Sequence, residues 1–362
     1  MKHLGWLLVL LACGAGGAAA VEPLPVFPSV VAGRGMTFPA DTGAHPDYRT
    51  EWWYVTGWLK DDQGGERGFQ VTFFRVRSGI GEGNASRFAP RQIMLAHAAL
   101  ADPATGRLLH GERTERAMAP LAGAAQDRTR AWVGDWSLAL EDGAGHGRYR
   151  AQASSENFAF DLSLVAGAAP LLNGRAGYSQ KAPDPLNASY YYSRPQLAVD
   201  GTLTLHGEAR KVRGHAWLDH EWSSAIMPDG ARGWDWIGIN LHDGGSLMAF
   251  RMRDAQGAAL WSGGTLREGG GDARRLEPGQ VVMQPLRHWR SPRSGAEYPV
   301  GWKVDIDGRQ FELRPLMDDQ ELDSRRSTGA IYWEGAVRLF EGEREIGQGY
   351  LEMTGYAGRL RM

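Results

Sequence analysis

The sequence predicts an all-β protein made of two antiparallel barrels or half-barrels with few, short helices. Three observations lead there. Apolar residues alternate in short runs broken by glycine or aspartate at nearly every step, and no window holds a 3.6-residue period with caps. The chain of 362 residues carries 49 glycines, 14 tryptophans and 11 tyrosines, the composition of many short strands with glycine turns and large rings inside. The chain also echoes itself. Trp53-Tyr54-Val55-Thr56-Gly57, an Asp-Asp-Gln-Gly-Gly turn and Phe73-Phe74-Arg75 return as Trp234-Asp235-Trp236-Ile237-Gly238, His242-Asp243-Gly244-Gly245 and Ala249-Phe250-Arg251. Each half thus opens with an aromatic hairpin, and a barrel so built closes its own edges around a hollow for one small apolar ligand.

The chain begins MKHLGWLLVLLACGAGGAAA. One lysine, an apolar run over 4–12 and the small residues Ala18-Ala19-Ala20 read as an export signal over residues 1–20, too short for a permanent anchor. The expected destination is the periplasm or the exterior. An alternative processing route uses Leu10-Leu11-Ala12-Cys13 as a lipoprotein box, with Cys13 lipidated. Residues 21–46 form an extended lead-in without periodicity. A β-hairpin follows, with strands at 53–59 and 69–76 around Asp61-Asp62-Gln63-Gly64-Gly65. Further strands are expected at 92–100, 107–112, 131–140, 148–153 and 157–164. The stretch 166–188, rich in turn formers, reads as the interdomain crossing. A second series runs over 196–206, 211–218, 234–241, 246–253 and 258–266, with a tail at 300–306, 310–315, 331–340 and 347–356. Two domains, 21–193 and 194–362, suit a chain of this length.

Composition excludes several classes. Hydrophobic content of 43%, charged content of 23% and a formal net charge of -2 describe an ordinary globular protein, and the lack of a basic face argues against a nucleic-acid partner. Cys13 is the single cysteine, so the exported part has no disulfide, thiolate nucleophile or cysteine metal site. His215, His220 and His242 lack HxH or HExxH spacing, and GxSxG, GxGxxG and P-loop motifs are missing. Neither a metal nor a cofactor is expected.

The densest stretch is residues 213–244, which holds Trp217, Trp222, Trp234, Trp236, His215, His220, Asp219, Glu221 and Asp235. Period-2 alternation sends Trp217, Asp219 and Glu221 to one strand face and Leu218, His220 and Trp222 to the other. Pro228-Asp229-Gly230 then breaks the chain before a second alternating run. Two strands joined by a loop over a pocket are expected.

The motifs HPDYRTEWWYVTG, GYSQKAPDPLNASYYYSRPQLAVDGTL, GHAWLDHEWSS, GWDWIGINLHDG and YWEGAVRL with GYLEMTGY resemble, in order, the AttH/CrtC-like proteins, a group similar to the acyclic carotenoid 1,2-hydratases. The likeness runs from about Phe38 to Tyr356. It implies lipocalin-like domains with a cavity at or between them, and relatives that include hydratases of isoprenoid double bonds. Adding water to an apolar C=C needs a proton donor, walls that stabilise a cation, and a held water. A buried carboxylic acid supplies the first and aromatic faces the second. Asp219 and Glu221 beside Trp217, with Trp234 and Tyr332 opposite, meet these needs. The resemblance makes Asp219 the first choice of acid and His220 its partner, with Glu221 and Asp235 next. Glu51, Trp53, Tyr191, Trp222 and Glu334 are further candidate pocket residues. The same groups also admit a structural reading: a buried network that locks the barrels together, with Trp52, Trp53, Trp222 and Trp236 filling cores and His97 a satisfied core histidine. The expected function is a cofactor-free hydratase or hydrolase acting on a hydrophobic small molecule. The alternative is a carrier that hands such a molecule to an ABC transporter or a membrane surface.

Overall fold

The computed structural model describes residues 25–86, 88–142 and 146–359; the leader and Cys13 lie outside them. The described residues form two antiparallel sheets and two 3-10 turns. The first sheet contains β1 (Thr50–Asp61), β2 (Glu66–Arg77), β3 (Gln92–Asp102), β4 (Arg107–Arg116), β5 (Ala122–Ala124), β6 (Arg130–Val133), β7 (Trp136–Asp142), β8 (Arg148–Ser154), β9 (Phe158–Val165), β10 (Leu171–Leu172), β11 (Tyr178–Gln180), β12 (Ala188–Leu205) and β13 (Glu208–Ala225). Its order is β4-β3-β2-β1-β13-β12-β9-β8-β7-β6-β5, with β10 and β11 on β12. The second contains β14 (Gly233–Leu241), β15 (Ser246–Arg253), β16 (Ala259–Arg267), β17 (Ala273–Leu276), β18 (Val281–Arg290), β19 (Glu297–Ile306), β20 (Arg309–Pro315), β21 (Glu321–Ser324), β22 (Ala330–Glu341) and β23 (Arg344–Met353). Its order is β17-β16-β15-β14-β23-β22-β20-β19-β18, with β21 on β22.

The sheets divide the chain after Ala225, about thirty residues beyond the expected boundary at 193/194. The reason lies in β12 and β13, two 18-residue strands that follow the turn-rich stretch 166–188, the first of which runs unbroken across the expected boundary. That stretch supplies the short strands β10 and β11, which pair back onto β12. Sequence alternation in 190–205 resembles a fresh start, but hydrogen bonding to β13 and β9 keeps it in the first sheet.

Each sheet curls around its own core. The first is filled by Trp53, Phe69, Phe73, Trp136, Tyr149 and Phe160 among others, the second by Trp302, Trp333, Tyr298 and smaller apolar residues. The expected hollow inside a barrel is thus occupied by side chains. A third cluster lies where the outer faces of the sheets meet and includes Tyr54, Trp58, Tyr191, Trp217, Trp236, Phe250 and Tyr350. Gly68 permits that approach, since a Cβ there would stand 2.6 Å from both Ala336 Cβ and the Tyr350 hydroxyl. Trp58 Nε1 donates to the Gly349 carbonyl at 3.0 Å and Trp236 Nε1 to the Tyr191 hydroxyl at 3.0 Å, so the aromatic rings of this seam also satisfy their polar tips.

Candidate functional site

The strand parity read from the sequence positions the site. On β13, Trp217, Asp219 and Glu221 face the seam. Their cross-strand neighbours on β1 are Thr56, Tyr54 and Trp52, so carboxylates and rings share a surface. From the second sheet, β14 contributes Trp234 and Trp236, β15 Phe250 and Met252, β22 Tyr332 and Glu334, and β23 Glu352. Together with Thr72, Phe74, Lys181 and Ile226 they line a narrow cleft with about 80 Å³ of free space, smaller than most small-molecule sites.

The cleft holds four carboxyl groups in three environments. Asp219 is 2% exposed. It accepts from Ser193 Oγ at 2.5 Å, Trp217 Nε1 at 2.5 Å and Tyr191 OH at 2.6 Å. Burial raises its pKa to about 7 against the opposing pull of those donors. Glu221 instead has a cation, Lys181 Nζ at 2.9 Å, and a hydrogen bond from Ser189. Lys181 also lies over the rings of Tyr191 and Phe250. Glu334 differs from both: its carboxyl oxygens are closed to solvent and have no hydrogen-bond partner among the described residues. Burial holds its pKa well above the usual carboxylate range. Tyr54 and Tyr332 offset part of this, although neither hydroxyl reaches hydrogen-bonding geometry with it. Glu352, its direct cross-strand partner on β23, is also pushed well up, first by burial and then by the charge of Glu334. Two carboxyls so placed favour keeping at least one proton between them.

The remaining sequence candidates lie elsewhere. His220 sits on the opposite face of β13, where Nε2 contacts Glu51 Oε1 at 2.8 Å and Nδ1 contacts the Tyr192 hydroxyl at 3.2 Å. Glu51 also accepts from His45 Nδ1 at 2.8 Å and Arg75 Nε at 2.8 Å. Trp53 stacks on His220 and Trp222 on His45. Among the described residues, His45, Glu51 and His220 bring ligand-type atoms within 4.8 Å of one another. Their 2.8 Å contacts are direct hydrogen bonds, and Arg75 already neutralises Glu51, so this is a closed polar network. Burial is outweighed at Glu51 by the two histidines and Arg75, which hold its carboxyl far below the ordinary range. Asp235 faces away from Trp234 and Trp236 toward Arg251 Nε at 2.7 Å, Arg253 Nε at 3.3 Å and Tyr356 OH at 3.0 Å. The geometry therefore removes His220, Asp235, Glu51, Trp53 and Trp222 from the cleft. It brings Asp219, Glu221, Trp234, Tyr332 and Glu334 together, and sets Tyr191 and Trp217 behind Asp219 as its donors.

Sequence reasoning missed Glu352, Lys181 and Tyr54, and read Trp52 and Trp236 as core. Glu352 had a legible signal: it is a lone acid between Leu351 and Met353 in a strand that pairs with the one carrying Glu334. Lys181 had none, because it arrives from the turn-rich segment after β11.

Fold and site together describe a two-sheet β protein with an aromatic, carboxyl-lined cleft between the sheets. The chain belongs to the AttH-like family, whose model matches residues 29–356. It is similar to the crystal structure of an AttH protein from Nitrosomonas europaea, with 44% identity, a TM-score of 0.85, and coverage of 92% of this chain and 100% of that one. The fold is also that of kievitone hydratase from Nectria haematococca, with a TM-score of 0.67, 17% identity, and coverage of 92% and 97%. By sequence it is 25% identical over 195 residues to kievitone hydratase of Fusarium solani subsp. phaseoli, covering 52% of this chain and 53% of that protein. It is 26% identical over 233 residues to dehydratase asqC of Emericella nidulans, covering 57% and 60%. The chain thus spans little more than half the length of the curated relatives it matches, and these are a hydratase and a dehydratase.

Proposed function

We propose that the protein is an acid–base lyase that adds water to, or removes it from, a hydrophobic small molecule held in the cleft between the two sheets. The observation that carries this reading is Glu334: a carboxyl lining an apolar cleft with both oxygens unpartnered. A container for neutral apolar ligands gains nothing from such a group, whose burial costs several kcal/mol when it is charged, whereas a proton donor to an alkene requires it.

In this reading Asp219, about half protonated near neutrality, or Glu334, held protonated by burial, protonates the double bond or the departing hydroxyl. The carbocation formed is stabilised by the faces of Trp52, Trp234 and Trp236. A carboxylate on the opposite wall, from the Glu334–Glu352 pair when Asp219 is the acid, takes a proton from the attacking water. Atoms balance as H and OH added across C=C, and the reverse sequence is dehydration. The family relatives named hydratase and dehydratase support this reaction class. The apolar leader at 4–12 and Ala18-Ala19-Ala20 support an exported location.

The test is isotope wash-in. Purified protein is incubated in ¹⁸O-water with tertiary allylic alcohols such as linalool, and the alcohol is analysed by mass spectrometry. The expected result is ¹⁸O in the recovered alcohol with wild type and none with Asp219→Asn or Glu334→Gln. Equal incorporation in wild type and both variants refutes the assignment.

A further inference from the structure

We propose that Tyr332, His97, Ser327 and Glu112 form a proton wire joining the pocket carboxyl of Glu334 to the protein surface. The inference rests on the acid–base reading of the cleft and adds how its buried acid exchanges protons. Both Glu334 oxygens are shut off from solvent, so a group that must gain and lose a proton each turnover needs a route. Tyr332 lies two residues away on the same face of β22 and lines the same cleft. Neither Glu334 oxygen is hydrogen-bonded to the Tyr332 hydroxyl at rest, so the first transfer takes place when the Glu334 side chain turns across the cleft to meet it.

From Tyr332 the path leaves the second sheet. Its hydroxyl meets His97 Nδ1 at 2.7 Å, and His97 Nε2 lies 2.8 Å from Ser327 Oγ. Ser327, in the turn between β21 and β22, donates in turn to the Glu112 carboxylate. Glu112 is half-buried and is the cross-strand neighbour of His97 in the β3–β4 pairing. Ala99, Ala101, Leu108 and Leu322 pack beside Tyr332, and Phe74 meets the His97 ring edge-on at 5.2 Å, so the path is sheathed in apolar side chains.

The hydrogens along it point one way. Ser327 gives its proton to Glu112, with a longer 3.2 Å contact to the Ser324 carbonyl as the weaker acceptor. The Ser327 oxygen is then free to accept from His97 Nε2–H. Burial, helped by the nearby charge of His110, pushes His97 down to about 3, so the ring is neutral and its Nδ1 accepts from Tyr332. In one passage Glu334, its side chain turned to meet Tyr332, hands a proton to the Tyr332 oxygen, Tyr332 to His97 Nδ1, His97 Nε2 to Ser327 and Ser327 to Glu112. One proton has moved, Glu334 is a carboxylate and Glu112 a carboxylic acid, and nothing is oxidised or reduced. Every donor is now reversed, so the chain is set to carry the next proton inward.

A purely structural clamp between the sheets would show the same bonds, and proton exchange separates the two. The carboxylic C=O stretch of Glu334 is identified by infrared difference against Glu334→Gln, and its isotopic shift is followed after mixing the protein into D₂O. Ser327→Ala and Glu112→Gln, both at half-buried positions, are expected to slow that shift severalfold with thermal unfolding unchanged. His97→Gly is expected to slow it further, with recovery on adding imidazole. A Glu334 band that exchanges at the wild-type rate in both Ser327→Ala and Glu112→Gln overturns the wire alone. A Glu334 band that is missing at neutral pH overturns the acid–base reading and the wire with it.

Discussion

Replacing Asp219 by asparagine probes how far burial has shifted this acid, through the pH dependence of stability. The side chain is 2% exposed, and its pKa rises from 3.8 to about 7. A carboxyl raised on folding stabilises the native state below its unfolded pKa, and this contribution is lost as pH rises through the folded value. Between those two pH values the folded protein binds one more proton than the unfolded chain. Wild type therefore loses about 1.4 kcal/mol of stability per pH unit relative to a non-titrating residue, or about 4 kcal/mol over the full shift from 3.8 to about 7. Asparagine cannot accept from Ser193, Trp217 and Tyr191 as the carboxyl does, which adds a constant offset and leaves the slope untouched. Denaturant unfolding of both proteins across the range from about pH 4 to about pH 8 gives the difference curve. The curves should diverge steadily and level off above neutrality, with the variant gaining on wild type. Parallel curves would refute the claim that burial raises the Asp219 carboxyl toward neutrality.

Other perturbations separate the cleft from its supports. Lys181→Met leaves Glu221 with only Ser189 and should cost about 3–5 kcal/mol in denaturant unfolding, most of it recovered in the Lys181→Met/Glu221→Gln double variant. Glu334→Gln removes the charge that raises Glu352, so the Glu352 carboxyl should titrate at lower pH in ¹³C NMR. Asp235→Ala strands Arg251 and Arg253 and should also cost about 3–5 kcal/mol, yet leave the affinity of the folded protein for an apolar cleft ligand such as farnesol unchanged by calorimetry.

Much of this architecture was legible because strand alternation is a strict rule. The period of two placed Asp219 and Glu221 together and His220 opposite them, and the folded chain has that arrangement. The same rule applied to β14 sets Asp235 against Trp234 and Trp236, and applied to β1 sets Glu51 and Trp53 against Trp52 and Tyr54. The family resemblance, and not the parity, paired His220 with Asp219 and kept Asp235 as a further choice. What alternation could not reveal was which side of each sheet would face its partner. Both faces of β1 and β13 are buried, one in the first core and one at the seam, so hydrophobicity alone did not distinguish them. The position of the cleft between the sheets, the arrival of Lys181 from a loop, and the pairing of Glu334 with Glu352 all depend on long-range contacts.

Infrared titration of the carboxylic C=O stretch tests the central claim most directly, that the acids between the sheets keep their protons in neutral solution. Wild-type protein should retain a carboxylic acid band at neutral pH, and Asp219→Asn, Glu334→Gln and Glu352→Gln should each remove part of it. If the band vanishes with the ordinary surface carboxylates at acidic pH, or survives all three substitutions unchanged, the cleft holds no poised acid.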